Sequence, residues 1–291
     1  MKFDHSAWRL AAAALFIAWL GNATDADLLL AGAMYDSASA SFPWRHTWLA
    51  DTFNHGYLKI ILTALAVTAV LAGIWDALRP FPFPGWRLET RLRLRVVACS
   101  ALLVPLAIAL LKQASASHCP WDLALFGGTE AYVRLFEAVH AQAPPGHCLP
   151  AGHASTALWL PSLAVFWPPR RARWIAAGLF LAGFAVGWLQ QLRGAHFLTH
   201  TLWSMWWAAA IIAALKALIL GRAKVNYFSS PLHPIASRLR MTEAGSASRT
   251  PPPPGETYET HLCPSDRCLD PHAVALRRLR GRSGRHRSPG R

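Results

Sequence analysis

The chain has 291 residues, 53% of them hydrophobic and only 15% charged, with a formal net charge of +14. That balance excludes an ordinary soluble globule: apolar runs parted by short charged loops describe an all-α polytopic membrane bundle. Nucleic acid is excluded as a partner, because the basic residues lie between apolar runs or in the C-terminal tail and build no basic face interleaved with aromatics; positive-inside bias and attraction to anionic headgroups account for the charge.

A spanning helix needs about 20 mostly apolar residues. The first run, residues 8–20, is shorter and is followed by GNATDAD. Lys2 and Arg9 around an apolar core, with small residues after it, leave a cleaved signal peptide open, but Asp4 and Arg9 favour a first span. Residues 57–78 and 95–111 form the next two runs, on either side of the basic loop RPFPFPGWRLETRLRLR. Residues 154–167, 174–189 and 202–220 complete six expected spans. Many of the 14 Trp lie near the ends of these runs, where membrane boundaries fall.

The basic residues also orient the bundle. Residues 79–95, PPRRAR at 168–173 and the segment after Gly221 alternate as six spans require, which places them and both termini in the cytoplasm. Residues 22–56 carry only Arg45 and residues 113–153 only Arg134, so these segments face outward, the pattern of a bacterial inner-membrane protein. The expected organisation is a membrane domain over 1–228 and a disordered basic cytoplasmic tail over 229–291, which contains SRTPPPPGETYET and ends LRRLRGRSGRHRSPGR. The tail's CPSDRC holds Cys263 and Cys268 but too few ligands for zinc, and Cys99 lies inside an apolar run as a buried thiol.

Three polar clusters fall at the outward face. Lys112 ends the third span, His153 opens the fourth in CLPAGHAS, and QQLRGAHFLTHTLWS links the fifth and sixth with Arg193, His196 and His200. Any one of these residues alone reads as a solvated helix end. Together they offer fixed positive charge and donors for phosphate oxygens, and a helix start at Gly152 and His153 adds backbone N–H groups. Two imidazoles can divide the chemistry, one attacking phosphorus and the other protonating the departing oxygen. A titratable ring at a span's start suits a lipid whose tail is in the bilayer and whose phosphate is at the surface. His196 and His200 also form an H-x-x-x-H pair, and His118 or His153 is a conceivable third ligand, but no carboxylate or Cys set completes a metal site. No metal and no cofactor is therefore expected.

These residues carry a resemblance to the type 2 phosphatidic acid phosphatase (PAP2) superfamily, spread over roughly residues 57–220. The family pattern is a Lys followed by Arg-Pro after six intervening residues, a Pro-Ser-Gly-His, and a Ser-Arg-x5-His-x3-Asp. Here Lys112 leads to Cys119-Pro120, and Pro150-Ala151-Gly152-His153 has Ala for Ser. The third motif keeps His196, has Gln190 where Arg is expected and His200 where Asp is expected. The resemblance implies a six-span phosphatase with His196 as nucleophile, His153 as general acid, and Lys112 with Gly152 at the phosphate. Arg193 substitutes for the missing motif arginine, sharing a helical face with His196. The family Asp orients the nucleophile, a role left to His200, or to Asp122 or Glu130. Cys119 and Cys148 lie in one outward loop, where a disulfide can persist and would tie the Lys112 end to the His153 end. The implied reaction is hydrolysis of a lipid phosphate or polyprenyl diphosphate through a phosphohistidine, or transfer to another acceptor. A non-catalytic lipid-binding or transport protein is the alternative, favoured by His200 and opposed by the lack of polar residues at mid-span.

Overall fold

The computed structural model describes residues 5–79, 87–135, 137 and 145–221. The expected tail, with Cys263 and Cys268, lies outside the described residues. Seven α-helices occur among those residues: α1 His5–Ala23, α2 Ala26–Met34, α3 Lys59–Leu78, α4 Leu88–Gln113, α5 Gly152–Leu158, α6 Pro169–Leu192 and α7 Leu198–Leu215. Their only β pairings are the isolated bridges Asp36–Ser41 and Leu123–Glu130.

Among the described residues, four helical segments are long and apolar enough to cross a bilayer: 48–78, 88–113, 169–192 and 198–221. α1 and α2 meet at a 68° bend and provide a fifth if the pair counts as one span. Residues 154–167, expected as a span, do not form one long helix. α5 has only 7 residues and passes at Trp159 into a 7-residue 3₁₀ helix, Leu160–Phe166, with Pro161 in its first turn. Proline at that point removes an amide donor and ends the α-helical ladder. The second run begins earlier than expected, because a π-helical stretch, Trp48–Leu58, leads directly into α3.

The bundle is apolar outside and small or polar inside, as a membrane domain requires. Ile60, Ile61, Leu65, Leu71 and Trp75 on α3 face outward, whereas Ser100, Ser162, Thr201 and Ser204 are buried. α5 forms the centre, with Ala154 and Leu158 packed against Val97, Val104 and Ile108 of α4 and Ala208 of α7. At one end, Asp76 accepts from Nε of Arg91 at 2.6 Å and of Arg95 at 3.1 Å, which fastens the α3–α4 hairpin. At the other end, Phe42, Leu123, Phe126 and Phe197 form a second apolar cluster over the loops. α1 is tied to the bundle where Trp206 Nε1 donates to the Leu10 carbonyl at 2.8 Å.

Candidate active site

Lys112 ends α4, Gly152 and His153 start α5, Arg193 follows α6, and His196 and His200 flank the start of α7, so the alternating helices bring all of them to the same end of the bundle. The rings of His153 and His196 stand 6.4 Å apart between centroids. A Cβ placed on Gly152 would lie 3.9 Å from Nζ of Lys112, so the amine sits directly over the residue before His153. Local hydrogen bonds set this register. Ala151 N donates to the His200 carbonyl at 3.1 Å, and Ser204 Oγ donates to the Ala151 carbonyl at 3.0 Å. The start of α5 is thereby pinned to the first turn of α7.

Cys119 and Cys148 are joined in a disulfide, and Sγ of Cys148 lies 3.4 Å from Nδ1 of His196. A main-chain hydrogen bond to Cys148 also favours a proton on the His196 ring. The tautomer with its proton on Nδ1 satisfies this contact and leaves the Nε2 lone pair free for a substrate. His153 Nε2 is buried with no hydrogen-bond partner among the described residues, so the atom is left to be satisfied by something not of the protein.

Burial holds both imidazoles neutral. His153 is pushed down to about 3, first by burial and then by its electrostatic neighbours His55, Lys59, Lys112 and Arg193. His196 is held well below its usual range by complete burial, with His200, Lys112 and His153 adding to the effect. Neutral His196 is the form that can attack.

Two expected roles meet a different geometry. Arg193 does not share a helical face with His196: it caps α6, and Gly194 then turns at φ 72° into the irregular link that carries His196. Phe42 packs where a Gly194 side chain would stand, 2.4 Å from an added Cβ, so only glycine fits. The Arg193 guanidinium donates to the Arg45 carbonyl at 3.1 Å, Gln190 Oε1 at 3.0 Å and Asp51 Oδ1 at 2.7 Å. It anchors the 45–51 segment while remaining an electrostatic neighbour of His153. His200 stands edge-on to His196 at 5.9 Å between centroids, and its Nε2 meets Ser117 Oγ at 3.2 Å instead. Glu130 pairs with His118 at 3.7 Å, and the Asp122 main chain receives the amides of Thr129 and Glu130, contacts that lie within their own loop.

Sequence reasoning missed three residues here. His55, on the π-helical stretch, lies 4.3 Å from His153 between ring centroids. Lys59 opens α3 four residues later and acts on His153 as a positive neighbour. Asp27 on α2 is buried, accepts the Thr199 amide at 3.0 Å and is bonded by the Thr199 hydroxyl, capping the first turn of α7 between the two histidines. The available signal was the H-G-Y-L-K spacing at the same expected boundary as His153. A run begun at Tyr57 hid it.

Cys119, Cys148 and His196 bring their ligand atoms within 4.8 Å of one another. With both sulfurs in a disulfide, no thiolate remains to hold a metal there.

A helical membrane bundle with this end-on cluster defines a class of integral membrane protein. Residues 93–223, the region that holds Lys112, His153, Arg193, His196 and His200, match the PAP2 superfamily. The activity characteristic of that superfamily is of the phosphatase type, on phosphate esters. No curated protein and no solved structure matches the chain.

Proposed function

We propose that the protein is a membrane phosphatase that hydrolyses a lipid phosphate or a polyprenyl diphosphate at the extracytoplasmic face of a bacterial inner membrane, both of its termini being cytoplasmic. His196 Nε2 attacks phosphorus and forms a phosphohistidine. His153 serves the departing oxygen, and water then cleaves the P–N bond to release phosphate. Lys112 and the Gly152 backbone hold the phosphoryl oxygens, and Arg193 contributes charge from behind its Asp51 pair. No metal ion is required by this scheme. The carrying observation is the 6.4 Å separation of the His153 and His196 rings beside an amine with no acidic partner among the described residues.

The test is phosphate release from detergent-solubilised protein given mixed lipid phosphates. His196→Ala removes turnover and His153→Ala lowers it, while His118→Ala retains it. Normal turnover in His196→Ala overturns the nucleophile assignment. One observation favours the non-catalytic reading: His200 bonds to Ser117 rather than to His196. Wild-type protein that binds lipid phosphates and releases no phosphate would establish that reading instead.

A further inference from the structure

We propose that His55 and Lys59 form a second phosphoryl-binding position beside the His153–His196 pair, so that the preferred substrate carries two linked phosphoryl groups. This rests on the phosphatase reading above and narrows its substrate. Both residues precede the region that matches the superfamily, so the family pattern does not supply them.

His153 neighbours both other rings: between centroids, His196 is 6.4 Å from it and His55 is 4.3 Å from it. A terminal phosphoryl between His196 and His153 places the bridging oxygen at His153 and the inner phosphoryl beside His55. Lys59 belongs to the same positive surroundings of His153, and its ammonium repels that of Lys112. Neither lysine has an ion-pair partner among the described residues, and the acid nearest to hand, Asp51, is held by Arg193 at 2.7 Å. Two uncompensated ammoniums and a His153 that gains a proton on binding make three positive charges. A phosphate monoester brings at most two negative charges, whereas a diphosphate ester brings three. A cavity of about 310 Å³ opens beside His55, walled by Asp51, Thr52, Gly56, Tyr57 and Ile60. It gives the inner phosphoryl and the start of a lipid chain room next to the His55 ring.

The chemistry balances. The His196 Nε2 lone pair forms the P–N bond, the bridging P–O bond breaks, and its electron pair leaves on the lipid monophosphate. Water then splits the phosphohistidine and yields inorganic phosphate. A phosphate leaving group departs as a stable anion and demands less of His153 than an alcohol would.

The test compares farnesyl diphosphate with farnesyl monophosphate, in detergent, on wild type, Lys59→Gln, His55→Gln and Lys59→Arg. Losing a charge-assisted contact to the inner phosphoryl lowers the diphosphate-over-monophosphate ratio of kcat/KM by roughly tenfold in the two Gln variants. Lys59→Arg restores most of it. An unchanged ratio in both Gln variants overturns the proposal. In parallel, thermal stabilisation by inorganic diphosphate is compared with that by inorganic phosphate. The second position predicts a greater effect of diphosphate in wild type, lost in Lys59→Gln; equal effects in wild type overturn it. If wild type cleaves neither ester, the phosphatase reading fails, and this binding comparison alone decides the second position.

Discussion

Breaking the Cys119–Cys148 bridge tests the architecture of the site most directly. The perturbation is the double variant Cys119→Ser/Cys148→Ser, with reductant on wild type as the chemical counterpart. The bridge closes a chain segment with a sequence separation of 29, for which the chain-entropy estimate gives about 3.6 kcal/mol of stabilisation. On two-state scaling that corresponds to a fall of roughly 10 °C in the unfolding midpoint. The stability loss has a functional counterpart, because buried Cys148 touches His196 Nδ1 at 3.4 Å and the bridge holds the 112–122 segment against it. The assay is thermal unfolding of the detergent-solubilised protein alongside phosphate release, with mass spectrometry reporting the redox state. A pure stability effect would leave activity at low temperature intact; the structure predicts that activity falls well below the unfolding midpoint. A variant with wild-type midpoint and wild-type turnover would refute the reasoning.

Replacing His153 with Ala lowers kcat by about 10²–10⁴-fold, the usual worth of a positioned acid or base, whereas His196→Ala leaves only background phosphate release. Acid weakens the fold: His153 titrates at about 3 in the native site and near 6.5 unfolded, so between those values the unfolded chain binds the extra proton and stability falls with pH, by at most about 2 kcal/mol from this residue at pH 5. Denaturant midpoints measured from pH 8 to pH 4 check that sign, and a rise in stability toward acid contradicts it. Gly194→Ala places a Cβ 2.4 Å from the Phe42 ring at φ 72°, so both thermal stability and turnover drop, since the same turn aims His196. Wild-type behaviour in both measurements would mean that the 194–197 link adapts freely.

Much of the plan was legible in the sequence because membrane helices write their length and composition openly. Residues 95–111, 174–189 and 202–220 all fall inside long helices, and Lys112, His153 and His196 meet as spacing and resemblance implied. The failures share a physical cause. Residues 154–167 are apolar enough to span, but hydropathy cannot register Pro161 breaking the helix or the 3₁₀ turn that follows. His55 and Lys59 were hidden because a hydropathy window starts a span at its apolar edge, whereas the π-helical stretch carries the helix back to Trp48. The link at 193–197 was read as helical from residue spacing, yet Gly194 in the left-handed region ends α6 there. Asp27 sits 172 positions from Thr199, and no local pattern could pair them.

The positive neighbours and the neutral histidines belong to one device. Were His153 charged in the resting site, it would add to the repulsion among Lys112, Lys59 and Arg193. Burial and those neighbours keep it neutral, so the free site costs less to hold together. An arriving phosphoryl oxygen reverses the sign of the local field. One negative charge at ~4 Å, at an effective dielectric near 20, is worth about 4 kcal/mol, enough to lift His153 from about 3 toward roughly 6. On the proposed mechanism the substrate thereby arms its own general acid. Histidine ¹⁵N NMR at pH 6 on the full-length protein checks this directly: the His153 ring is neutral alone and gains imidazolium character when inorganic phosphate is added. An imidazolium signal from His153 in phosphate-free protein would refute the mechanism, since burial would then have failed to hold the ring neutral.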